Sequence, residues 1–118
     1  MRAVTVLLLL LLGAPALADD ATMNTEIDYL LETVATSDCT FIRNGKEHGA
    51  EAARDHLSLK RRKGKKYFST TEEFIERLAS SSSWSGKPYH IRCGDGEPQL
   101  AESWFSDVLR EYRSDHPD

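Results

Sequence analysis

Cys39-Thr40-Phe41-Ile42-Arg43-Asn44-Gly45 is the stretch on which the fold turns. Its first four residues are rich in β-branched and aromatic side chains and read as a short strand, which Asn44-Gly45 stops with a strong turn signal. A second strand is predicted at Tyr89-His90-Ile91-Arg92-Cys93, where Tyr89, Ile91 and Cys93 alternate onto one face. Two strands cannot stand alone as a sheet. They are expected to pair antiparallel, with helices covering one face.

Helical spacing supplies that cover. Met23 to Ala35 places Met23, Ile27, Leu30, Leu31 and Val34 on one side. Glu47 to Arg62 is a less apolar helix, with Ala52, Ala53, His56, Leu57 and Lys60 on its stripe, and Gly64 ends it. Thr70-Thr71-Glu72-Glu73 forms a capping box ahead of a helix that buries Phe74, Ile75, Leu78 and Ala79. The clearest periodicity runs from about Gln99 to Arg113, through Ala101, Trp104, Phe105, Val108, Leu109 and Tyr112. The expected architecture is α+β, about four helices packed on a short two-stranded antiparallel hairpin with one disulfide.

The N-terminus predicts an address. Arg2, an apolar run from Val4 to Leu12 and the small-x-small triplet Ala16-Leu17-Ala18 have the form of a secretory signal peptide. Cleavage is expected after Ala18, so that residues 1–18 are signal and 19–118 one small exported domain, periplasmic in a bacterium. The run is shorter than the roughly 20 apolar residues of a membrane span, and no second stretch in the mature chain approaches that length. Cys39 and Cys93 are the chain's only cysteines. An oxidising compartment favours pairing them over the competing readings of a metal pair or a catalytic thiol. The bond would close a loop of about 55 residues, worth roughly 4 kcal/mol on a chain-entropy account.

Charge is divided into blocks. Loss of the leader removes one base, Arg2, and no acid, moving the net charge from −4 to −5. Residues 19–38 hold six acids and no base, residues 43–66 nine bases and three acids, and residues 95–118 seven acids and two bases. Lys60-Arg61-Arg62-Lys63-Gly64-Lys65-Lys66 concentrates the positive charge. Such a run draws phosphates, anionic lipid head groups or acidic proteins, or it is a solvated helix end favoured by the helix dipole. Export, net acidity and the lack of interleaved aromatics argue against nucleic acid.

No catalytic constellation stands out. The four histidines, His48, His56, His90 and His116, include no H-E-x-x-H and no pair at i, i+4, and no zinc site is expected. His48 and His56 on one helix would lie about 80° apart around its axis. G-x-S-x-G is absent. Gly86-Lys87 is followed by Pro88 where a phosphate loop requires Ser or Thr, so no cofactor is expected. Glu47, Glu51 and Asp55 recur every four residues and read as a solvated helix face.

Phe41-Ile42-Arg43-Asn44-Gly45, Ala53-x-x-His56-Leu57-x-x-Lys60, Phe74-Ile75 and Ala79-Ser80-Ser81-Ser82-Ser83-x-Ser85-Gly86-Lys87-Pro88-Tyr89 together resemble the YfeK-type family. These are small bacterial periplasmic proteins that carry a domain of unknown function. The resemblance spans nearly all of the mature chain and implies its compartment and domain, with no catalytic residues. It points to the polar residues inside the matching blocks: Arg43, Asn44, His56, Lys60, Ser81, Ser83, Ser85, Lys87 and Tyr89. They are expected to form either a polar binding pocket or a hydrogen-bonded structural network.

Three readings of function follow. One is a non-enzymatic module for an anionic envelope component or a protein partner. Another is a small hydrolase or transferase using His56 with Lys60 or a serine of the 80–85 loop. In the third, the charge blocks matter only for solubility. The disulfide has a direct check: intact mass should rise by two hydrogens on reduction, and an unchanged mass would mean two free thiols.

Overall fold

The computed structural model describes residues 19–117. The predicted leader, residues 1–18, lies outside them. Asn44 and Gly45 adopt φ values of 51° and 79°. This left-handed pair is what a two-residue hairpin turn demands, and it returns the chain at once beside itself. Strand β1 (Cys39–Arg43) therefore pairs with a short β2 (Lys46–His48), with Arg43 opposite Lys46 and Phe41 opposite His48. The expected two-stranded hairpin is corrected here. Among the described residues the sheet has four antiparallel strands in the order β2-β1-β3-β4. Strand β3 is His90–Cys93 and β4 is Gln99–Leu100. The α+β class and the single disulfide hold.

Both added strands fall where the sequence predicts helix starts, because helical periodicity continues backward through Glu47 and Gln99. Sheet pairing overrides it. The helix expected from Glu47 begins at Ala50, once extended Gly49 has ended the hairpin; it is α2 (Ala50–Lys63). Glu47 consequently leaves the row with Glu51 and Asp55 and pairs with Arg92 across the sheet at 3.2 Å. His48 sits on β2, so it does not share a helix with His56.

The remaining elements are α1 (Asp19–Ala35), a 3₁₀ turn (Lys65–Tyr67), α3 (Thr71–Phe74) widening into a π turn (Ile75–Ala79), and α4 (Ala101–Asp115). Their predicted stripes form the core. Ile27, Leu30, Leu31 and Val34 of α1 meet Ala53 and Leu57 of α2, and Phe74, Ile75, Leu78 and Ala79 close on Ala101, Phe105 and Leu109 of α4. Ala52, expected on the α2 stripe, is exposed. On the sheet, Phe41 and Ile91 face the helices and are almost fully buried, each worth about 1.5–3 kcal/mol. Cys39 lies directly opposite Cys93 in the β1–β3 ladder, and the two are disulfide-bonded.

Thr70 caps α3 as expected, its hydroxyl accepting from the Glu73 amide at 3.0 Å. The Glu73 carboxylate, however, reaches back to the amide and hydroxyl of Ser69. Gly64 ends α2, its amide donating to the Lys60 carbonyl at 2.8 Å. A β-carbon there would come within 2.9 Å of that carbonyl and 3.0 Å of Leu78 Cδ1, so the close approach of α2 to the π turn requires glycine.

One polar cluster ties three helices. Arg113 of α4 donates to both Glu26 of α1 and Glu72 of α3, and Thr71 donates to Glu26 at 2.6 Å. Glu26 is buried, and its hydrogen bonds from Arg113 hold its pKa below the ordinary carboxylate value. A carboxyl lowered in the folded state contributes stability above its unfolded value, about 4.5, and loses it as pH falls through the folded one. Glu26→Gln should cost about 1.5–3 kcal/mol at neutral pH and flatten the acid limb of the melting curve. Equal acid sensitivity in wild type and variant, measured by urea unfolding, would count against this cluster.

Candidate functional site

Lys60 and His56 lie one turn apart on α2 and point toward the segment that follows the π turn. That segment, the serine loop of residues 80–88, is closed by a bridge between Ser81 and Pro88. Inside it the Ser82 amide donates to the Lys87 carbonyl, and the Gly86 amide to the Ser82 carbonyl, each at 2.9 Å. The Ser82 hydroxyl accepts from the amides of Trp84 and Ser85. A run of serines here builds a self-capped loop because each short hydroxyl reaches the backbone two or three residues away.

Tyr89 leaves this loop into β3 and is nearly fully buried. Its hydroxyl lies 3.1 Å from Lys60 Nζ and 3.1 Å from His56 Nε2. An ammonium can only donate, so the arrangement that satisfies every group has Lys60 donating to Tyr89 Oη and Tyr89 donating to His56 Nε2. Lys60 also donates to the Ser81 carbonyl at 2.9 Å, which leaves one N–H of the ammonium uncommitted. Burial, and next the charge of Arg43, push Lys60 down to about 8 and His56 down to about 4. Burial likewise raises the Tyr89 phenol. At neutral pH the site therefore holds a neutral imidazole, a neutral phenol and an ammonium charged only at a cost.

Around this network opens a cavity of about 810 Å³. Arg43 and Asn44 enter it from the end of β1, Lys63 and Leu59 from α2, Tyr67 from the 3₁₀ turn, Arg77 and Leu78 from the π turn, and Ser83 and Trp84 from the serine loop. Its cations are Arg43, Lys60, Lys63 and Arg77, and among the described residues no carboxylate lines it. Arg77 is engaged by Glu73 and the Tyr67 carbonyl. Arg43 and Lys63 make no ion pair among the described residues.

Of the nine site residues expected from sequence, Arg43, Asn44, His56, Lys60, Ser83 and Tyr89 line the cavity. Ser81 contributes through its carbonyl. Ser85 stands behind the wall, donating to Asn44 Oδ1 at 2.6 Å. Lys87 does not line the cavity; its side chain is exposed and only its backbone braces the loop. Among the described residues no serine hydroxyl bonds to His56 or Lys60.

Lys63, Tyr67, Arg77 and Trp84 were not expected in the site. Lys63 had a signal, its place one turn beyond Lys60, but sequence does not show how the basic run divides. Arg61 turns away to Asp28 at 2.7 Å, whereas Lys60 and Lys63 turn inward. Tyr67, Arg77 and Trp84 lie on three separate segments brought together only by packing.

Comparisons with known proteins place the chain among relatives without an assigned role. The profile of a family of unknown function, DUF5329, matches residues 21–113. The uncharacterized protein YfeK of Salmonella typhimurium is 44% identical over 82 residues, covering 68% of each chain. No solved structure matches.

The Tyr89 network has a titration signature. His56 should stay neutral until pH falls to about 4, and Lys60 should lose its proton near 8, both followed by NMR. A histidine lowered in the folded state costs stability as pH falls from its unfolded value toward the folded one, because the unfolded chain takes the proton first. An ordinary midpoint for either group would mean that the network is solvated.

Proposed function

The chain belongs to the DUF5329 family of unknown function, and we propose that it is a non-enzymatic binding module whose pocket between α2 and the serine loop takes an anionic component of the cell envelope. The observation that carries this reading is the sign of the lining: among the described residues, four cations, a neutral imidazole and no carboxylate. A pocket of one sign between apolar walls focuses its field on an incoming anion. The low value of Lys60 supports the same reading. A half-buried ammonium without a counter-charge is destabilising, and an anion donated by a ligand removes that penalty. Arg43 supplies a planar fork suited to phosphate or carboxylate.

The disulfide supports an address outside the reducing cytoplasm. With the predicted signal peptide, it supports the envelope of a bacterium as the place where the ligand is met. Among the described residues no helix is long and apolar enough to cross a membrane.

Calorimetric titration with inorganic phosphate tests the pocket. Affinity should fall steeply with salt, and it should fall as pH rises through the value of Lys60, about 8, since the ammonium is present only below it. Lys60→Met and Arg43→Met should each weaken binding about ten-fold or more, the loss of one charge-assisted hydrogen bond. Binding indifferent to salt, to pH and to both substitutions would overturn the proposal.

A further inference from the structure

Five large apolar side chains stand exposed among the described residues, and three of them, Leu59, Tyr67 and Trp84, ring the mouth of this one pocket. Trp84 is the extreme case, 91% exposed. Its exposure is built in. The serine loop beneath it is held by the Ser82 and Ser85 hydroxyls and by two backbone hydrogen bonds, with Gly86 at φ 77° completing the turn. A braced loop presents the indole outward.

Ammonium groups surround these rings. Lys63 lines the mouth, Lys65 and Lys66 precede Tyr67, and Lys87 follows Trp84 on its own loop; all four are exposed. Lys66 Nζ lies 5.3 Å from the centre of the Tyr67 ring. A small soluble anion would need only the inner cations, Arg43 and Lys60, and would leave the apolar rim in water. Tryptophan and tyrosine prefer the head-group level of a bilayer, and lysine stems lie along apolar surface while their ammonium groups reach the phosphates. Each lysine near an anionic leaflet adds about five-fold in affinity.

We infer that the pocket mouth seats on the surface of an anionic phospholipid bilayer, with Trp84, Tyr67 and Leu59 at head-group depth and a lipid phosphate held by Arg43, Lys60 and Lys63. This rests on the anion-binding reading of the pocket and names the source of the anion. The mode is peripheral: the apolar rim is a small patch that enters only the interface.

Vesicles of phosphatidylglycerol and of phosphatidylcholine, sedimented with the purified protein, test it, and inorganic phosphate serves as the soluble arm. Comparing wild type with Trp84→Ala in the same chain cancels any contribution of residues 1–18. Preference for phosphatidylglycerol should exceed about ten-fold, with a blue shift of tryptophan emission. Trp84→Ala should lose both the shift and most vesicle binding. Circular dichroism confirms its fold, since an indole this exposed supports no core. Reversal of charge in Lys63→Glu, Lys65→Glu, Lys66→Glu should abolish sedimentation. Phosphate binding with no preference among vesicles, or a Trp84→Ala variant that sediments like wild type, overturns this inference and leaves the pocket reading standing. Failure to bind either phosphate or vesicles overturns both.

Discussion

Tyr89 joins three parts of the molecule through three polar atoms. Its amide donates to Ser80 at the start of the serine loop, and its carbonyl accepts from Ala101 at the start of α4. Its hydroxyl binds Lys60 and His56 of α2. The ring between them is buried, 5.0 Å from that of Phe41 on β1. A buried phenol must satisfy its hydroxyl, and here the partners are the two side chains that make the pocket chemically distinctive. Packing and site are thus one constraint: the residue that anchors β3 under the helices also sets how far Lys60 reaches into the cavity.

The charge blocks read differently once folded. The acidic N-terminal block meets its cations away from the pocket, through Asp28 with Arg61 and through Glu26 with Arg113. Those pairs tie α1 to α2 and α1 to α4. Of the basic segment, Arg43, Lys60 and Lys63 line the pocket, and among the described residues none of the three makes an ion pair. A chain of net negative charge thereby keeps one cationic face, and its local field rather than its net charge governs which partners approach.

The polar groups around the serine loop divide by position. Ser81, Ser82, Ser85 and the backbone of Lys87 form the hydrogen-bonded frame. Arg43, Lys60, Lys63 and Ser83 face the cavity that the frame shapes. Short hydroxyls bond locally and long cations reach outward. The same loop can therefore be rigid in its backbone and receptive at its surface.

The amino-acid sequence by itself determined the four helical stripes, the two strands that carry cysteine, the Asn44-Gly45 reversal and the capping of α3, because each depends on neighbours within a few residues. Six of the cavity-lining residues were also legible, since they fall in the blocks of Phe41 to Gly45, of α2 and of the serine loop. Only the tertiary structure decided that Glu47 and Gln99 belong to strands, because a residue joins a sheet when a partner strand offers its hydrogen bonds, whatever helical period it also fits. It alone brought Tyr67, Arg77 and Trp84 to one opening and sent Arg61 away from it. The direction of a side chain on a basic helix is set by which neighbour offers a carboxylate and which offers a cavity, and neither is local in sequence.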